Sequence, residues 1–133
     1  MNRELKGTDR VVHLDRIGQI AISVSDLPRA KNFYQNTLGM KFLFDAGHLS
    51  FFQCGDIRLM IGASEKPVST DGTILYFKVT DIHETYRSLK HQDVEFFQAP
   101  HLIATMPDHD LWMAFLKDPD GNTLGLMCEV ARP

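Results

Sequence analysis

The side chains best suited to acid–base or metal chemistry in this sequence are its six histidines. Two of them, His101 and His109, fall within residues 100–112, PHLIATMPDHDLW. Imidazole titrates near neutrality and is a common metal ligand, so both are candidates for acid–base catalysis or for holding a metal. Asp108 and Asp110 flank His109, a composition shared by metal sites and solvated turns, and the turn is the favoured reading. The same stretch carries the only tryptophan, Trp112, read first as a packing anchor and second as a stacking surface for a ligand. Taken as a loop longer than a hairpin turn, residues 100–112 would lie across the mouth of a binding cavity. His48, beside a turn, is a further candidate, whereas His13, His83 and His91 read as exposed. Cys54 and Cys128 sit in apolar strand-like runs and read as buried free thiols in a reducing cytosol. No Ser or Cys has a partner at nucleophile spacing, and neither a glycine-rich phosphate loop nor a His-x-x-x-His pair occurs.

The 133 residues carry a formal net charge of −3, with 44% hydrophobic and 23% charged residues, and so fit a single globular domain. No Lys/Arg run forms a phosphate-tracking stripe, which argues against nucleic acid as a partner. No apolar run is long enough to span a bilayer, and residues 1–10 lack the apolar core of a secretory signal. The expected setting is the cytoplasm.

Residues 16–25 alternate, with Ile20, Ile22 and Val24 on one side and Gln19, Ala21 and Ser23 on the other, as in a half-buried strand. Asp26 offers an N-cap, Pro28 fits a first helical turn, and Ala30, Phe33, Tyr34 and Leu38 follow at helical spacing up to Gly39. Strands are expected at 41–44, 49–54 and 57–61, separated by Ala46-Gly47 and Gly55-Asp56 turns. After a Gly/Ser/Pro-rich linker at 63–72 the pattern restarts: a strand at 73–80, a helix capped by Asp81, then strands at 94–97, 112–117 and 123–130, with Asp118–Asn122 (DPDGN) as a hairpin turn. The caps Asp26 and Asp81 lie 55 residues apart, the mark of a duplicated unit. The prediction is an α+β fold of two tandem βαβββ modules, 16–62 and 73–130, forming one domain over 16–133 behind a flexible arm at 1–15. Each helix covers one face of its sheet. Curled mixed sheets would then enclose a cavity between the remaining faces, which otherwise form a large apolar patch in water.

The run IGQIAISVSDLPRAKNFYQNTLGM (17–40), with its Asp-Leu, Phe-Tyr and Leu-Gly landmarks, and FLKDPDGNTLGL (115–126) resemble the first strand and helix and the closing hairpin of the vicinal oxygen chelate, or glyoxalase/bleomycin-resistance/extradiol dioxygenase, superfamily. The resemblance covers residues 16–129. It implies the paired-module cavity, a homodimer, and in many members one divalent metal. It puts metal ligands seven residues before each helix cap and on the last strand of each module. Those positions are Gln19 and Ile74, Met60, and Gly125, three residues after Asn122. Gln19 offers one neutral oxygen, Met60 a thioether, and Ile74 and Gly125 nothing, so the usual metal site is expected to be lost. A carboxylate introduced at 125 is expected to be accommodated.

By side-chain parity, Gln19, Arg58, Met60, Ile74, Tyr76, Phe115 and Met127 are expected to line the cavity, together with Trp112, and Arg58 to meet an anionic group. The leading expectation is a metal-independent protein that binds a small, largely apolar molecule, with no cofactor. The alternative is an enzyme of the same superfamily (lyase, isomerase or dioxygenase), with a divalent metal in a relocated site or with His101 and His109 as acid–base groups. A third possibility is a purely structural dimer with a filled cavity.

Overall fold

The alternation at the start of module one becomes strand β1 (Gln19–Val24), followed by helix α1 (Leu27–Asn32) and strands β2 (Lys41–Ala46), β3 (Leu49–Cys54) and β4 (Ile57–Ala63). Module two repeats the order with β5 (Leu75–Lys78), α2 (Ile82–His91), β6 (Glu95–Thr105), β7 (His109–Lys117) and β8 (Thr123–Ala131). The computed structural model describes residues 17–64 and 73–132. The arm expected at 1–15 and most of the linker lie outside the described residues; Ala63, expected to begin the linker, instead ends β4.

The two capping aspartates do the same work in each half. Asp26 accepts from Arg29 N and Asp81 from Glu84 N, each at 3.1 Å, which satisfies donors the first helical turn cannot pair internally. The first helix does not run unbroken to Gly39. Residues Phe33–Thr37 form a π-helical turn in which Leu38 N donates to Phe33 O at 2.9 Å. This wider turn buries Phe33 and Tyr34 side by side, and Gly39, at φ +75°, ends it in a left-handed conformation suited to glycine.

Each sheet has four strands, ordered β1-β4-β3-β2 and β5-β8-β7-β6, with β1 parallel to β4 and β5 parallel to β8. The registers show the duplication rung by rung. Ala21 pairs with Met60 and Met60 with Phe51; Tyr76 pairs with Gly125 and Gly125 with Phe115. Met60 and Gly125 therefore occupy equivalent places in the two modules. The helices pack on one face of the sheets, and the buried side chains of both modules form one continuous core that includes Val24, Phe52, Ile61, Ile82, Leu116 and Leu124.

One expectation is corrected here. Residues 100–112 are not a loop: β6 and β7 form a long hairpin whose turn is confined to 106–108, closed by Met106 N donating to His109 O at 2.8 Å. Pro100 suggested a loop, but β6 is an edge strand, where a residue without an N–H is tolerated. Three register irregularities along β6 further obscure its alternation.

The modules are pinned together at Tyr34, whose buried hydroxyl donates to Asp118 Oδ2 at 2.9 Å across 84 residues of sequence. Burial first, and then the charge of Asp118, push the Tyr34 pKa well above the ordinary tyrosine value. A folded-state pKa raised above the unfolded one contributes stability that is complete below about pH 10 and falls as pH rises beyond it. Tyr34→Phe should cost about 1.5–3 kcal/mol at neutral pH, the range for a hydrogen bond to a charged group. It should also flatten the alkaline decline. Urea unfolding at pH 7 and pH 11 checks both outcomes.

Candidate functional site

Strand pairing decides which side chains share the face opposite the helices, because residues directly paired across a sheet point the same way. In module one the first rung of that face reads Lys41, Gln53, Arg58 and Gln19, and the next Phe44, Phe51, Met60 and Ala21. In module two the second rung holds Tyr76, Gly125 and Phe115, and the third Lys78, Met127, Met113 and His101. Gln19, Arg58, Met60, Tyr76, Phe115 and Met127 thus all lie on the helix-free faces. Ile74, just before β5, is part-exposed. A cavity of about 180 Å³ between the modules is lined by Ile20 and Leu59 on one side and by Ile74, Leu75 and Tyr76 on the other; of the residues expected to line a cavity, Ile74 and Tyr76 border this one.

Trp112 is the exception among the expected lining residues. It has the parity of Ala114 and Leu116, packs against the core on the helix side, and meets the His83 ring edge-on at 5.3 Å. Its side chain therefore lies across the sheet from Phe115.

Aromatic rings dominate the face. Phe44 stacks on Phe51 with centroids 4.6 Å apart, and Phe97 stacks on Phe115 at 6.0 Å, with Tyr76 edge-on to Phe115 at 5.8 Å. A cation caps each pair: Arg58 lies 5.4 Å from the Phe51 ring and Lys117 5.0 Å from the Phe97 ring. Phe44, Phe51, Phe97 and Lys117 were not picked out from the sequence. The two-residue turns at Gly47 and Gly55 carry the signal that could have found Phe51, since they fix it opposite Met60.

The four positions where the family implies metal ligands do not fit a divalent ion. Gln19 Oε1 already accepts from Arg58 Nε at 2.9 Å, and Gln19 Nε2 lies 3.8 Å from Met60 Sδ. Ile74 brings no donor. At Gly125 the space is taken: a Cβ there would lie 2.6 Å from Tyr76 Cδ1 and 3.3 Å from Phe115 Cε1. A carboxylate at 125, expected to be accommodated, would first have to displace the Tyr76 ring, which occupies that volume. Among the described residues no group of three or more His, Cys, Asp and Glu side chains is placed to hold a metal.

The hairpin also separates the two candidate histidines. His101 pairs with Met113, four residues along β7 from His109, a separation of roughly 14 Å at strand spacing, too far for one metal. His109 Nδ1 lies 2.8 Å from Asp108 Oδ1, a hydrogen bond that lowers the Asp108 pKa, while Asp110 binds Arg132. That is a self-satisfied turn. His101, with Nδ1 2.8 Å from Ala99 O, is the histidine whose rung includes Met127. His48 is exposed in the β2–β3 turn and His83 and His91 are exposed on α2; His13 lies outside the described residues.

Comparison with known proteins agrees with this fold. The profile of the Glyoxalase/Bleomycin resistance protein/Dioxygenase superfamily matches residues 16–126. The uncharacterized protein YraH of Bacillus subtilis (strain 168) is 25% identical, the match covering 80% of this chain and 92% of that protein. The crystal structure of the glyoxalase family protein from Enterococcus faecalis superposes with a TM-score of 0.70 at 26% identity, over 86% of this chain and 98% of that one. Lactoylglutathione lyase from Agrobacterium tumefaciens gives a TM-score of 0.72 at 18% identity, over 86% and 93%.

The overlap at Gly125 is with one edge of the Tyr76 ring, on a residue that is 45% exposed, so the ring can swing aside toward solvent. Gly125→Ala should fold but be destabilised by about 1–3 kcal/mol, the usual penalty for overpacking. In a Tyr76→Ala background the same substitution should be close to neutral. A double-mutant cycle by urea denaturation measures that coupling, and its absence would mean Tyr76 does not cover Gly125.

Proposed function

The chain belongs to the Glyoxalase/Bleomycin resistance protein/Dioxygenase superfamily, and from that premise we propose that it binds a small, largely apolar molecule on the helix-free faces of its sheets without a metal. The observation that carries the reading is the Tyr76 ring lying over Gly125, where a family carboxylate would rise, while Gln19 is committed to Arg58. The site that would hold an ion is built from aromatic and thioether groups. Such a surface gains by removing apolar area from water, about 25 cal/mol per Å², and does not compete with water for a hard cation.

A second reading, an enzyme of the same superfamily, has the support of one feature. His101 faces the same side as Met113 and Met127, so an imidazole stands beside the apolar surface where it can exchange a proton with a bound molecule. The likeness to the Agrobacterium lyase, at 18% identity, extends to fold alone.

We further propose a homodimer. Leu102, Ile103, Met106 and Val130 are exposed toward the outer end of the second module, and β6 is an unpaired edge, the kind of surface and strand that association protects. Light scattering at micromolar concentration should give twice the chain mass; a monomer would remove this part of the proposal.

A neutral bicyclic probe, 2-naphthamide, should bind saturably to the purified protein in calorimetry, with equal affinity before and after dialysis against EDTA. Elemental analysis of the untagged protein should find divalent metal well below one per chain. Stoichiometric metal that survives dialysis, or binding lost with EDTA, would overturn metal independence. Phe115→Ala should weaken binding, since truncating an aromatic contact removes both area and stacking.

A further inference from the structure

The two helix-free faces are built alike but charged differently. Module one's first rung carries Lys41 on β2, Gln53 on β3, Arg58 on β4 and Gln19 on β1: two cations, two amides and no acid. The equivalent rung in module two carries Glu95, Lys117 and Thr123, an acid beside a base. Lys117 is also spent locally, its Nζ donating to Gly121 O at 3.4 Å and Thr123 Oγ1 at 3.3 Å.

Arg58 is oriented but unpaired. Its Nε donates to Gln19 Oε1 at 2.9 Å and its Cζ lies 5.4 Å from the Phe51 ring centroid. Among the described residues no carboxylate pairs with it or with Lys41, whereas Arg29, Lys31, Lys78, Arg87 and Arg132 each meet an aspartate or glutamate. Using Nε for Gln19 leaves the two Nη groups side by side, the fork that grips a carboxylate through two parallel hydrogen bonds. One rung further, Phe44 stacks on Phe51 with 45% of its surface still open. A flat apolar body can lie there while its charged end reaches the guanidinium.

We propose that Arg58, positioned by Gln19 and assisted by Lys41, forms with Phe51 and Phe44 a subsite for a planar aromatic carboxylate. The inference rests on the reading that this face takes a small apolar ligand, and adds the charge, shape and location of that ligand. Gln19 is a positioning residue: it holds the guanidinium over Phe51 and need not touch the ligand.

The test compares 2-naphthoate with the neutral isostere 2-naphthamide by calorimetry, on wild type, Arg58→Met, Arg58→Lys and Gln19→Leu. Wild type should bind the carboxylate about tenfold tighter than the amide, the size of one charge-assisted hydrogen bond. That preference should shrink as salt screens the exposed rung. Arg58→Met should remove most of the preference, leaving the share that Lys41 supplies, and should weaken naphthoate more than naphthamide. Arg58→Lys should restore part of the preference, and Gln19→Leu should weaken naphthoate more than naphthamide. Equal binding of both probes by wild type overturns the subsite while the apolar-ligand reading stands. A preference undiminished in Arg58→Met also overturns it, placing the carboxylate elsewhere. If neither probe binds, the ligand-binding reading fails and the subsite with it.

Discussion

Tyr34 and Asp118 meet in the interior although 84 residues separate them, and much of the remaining architecture follows from that contact. Asp118 is almost fully buried, and an ionised carboxylate out of water is tolerated only when its oxygens are filled. Here four donors converge on it: Tyr34 Oη and Asn122 Nδ2 on Oδ2, and the backbone N–H groups of Asp120 and Asn122 on Oδ1. The turn between β7 and β8 is thereby wrapped around its own carboxylate. The next acid in the turn, Asp120, takes the Ser25 N–H at 2.9 Å and the Ser25 hydroxyl, with Arg29 at 3.3 Å. The closing turn of module two is thus held at both the start and the end of module one's first helical segment. The π-helical turn belongs to the same device, since it buries Tyr34 rather than letting its hydroxyl reach solvent.

This explains why the sequence landmarks occur together. Phe33-Tyr34 and the Asp118–Asn122 turn are the two halves of one inter-module contact, and the Asp26 cap with Leu27 fixes where that contact sits along the chain. Strand parity, both caps and the turns at Gly47 and Gly55 were legible because each depends on residues a few positions apart. The equivalence of Met60 and Gly125 was implied by the family resemblance instead, and each pairs with its own first strand, at Ala21 and at Tyr76.

What stayed illegible depends on longer range. Tyr76 and Gly125 are partners on parallel strands, and no tight turn links parallel neighbours or fixes their register. That a ring would fill the place of a missing carboxylate was therefore beyond local pattern. The β6–β7 hairpin was hidden for a different reason. Pro100, two histidines and the aspartates flanking His109 look like loop chemistry, yet Pro100 and His101 sit on the edge strand β6 and the aspartates at the end of the hairpin. Trp112, grouped with that segment, keeps its first reading as a packing anchor and loses the second as a lining residue. As part of an unbroken β7, its parity is that of Leu116, on the helix side.

Duplication supplies two similar sheets, and the difference between them locates the chemistry. Each presents a stacked phenylalanine pair beneath a cation. In module two the ammonium is turned onto the DPDGN turn that Tyr34 anchors, donating to Gly121 O and Thr123 Oγ1. In module one the equivalent turn, Gly55-Asp56, stands outside that lock, and Gln53 Nε2 donates to Gly55 O. The cation on that rung is left free of structural duty. A side chain required for folding cannot readily be reassigned to a ligand, whereas one that is merely oriented can. The contact that joins the modules therefore engages the turn beside Lys117 in module two and leaves Arg58 in module one without a carboxylate partner among the described residues.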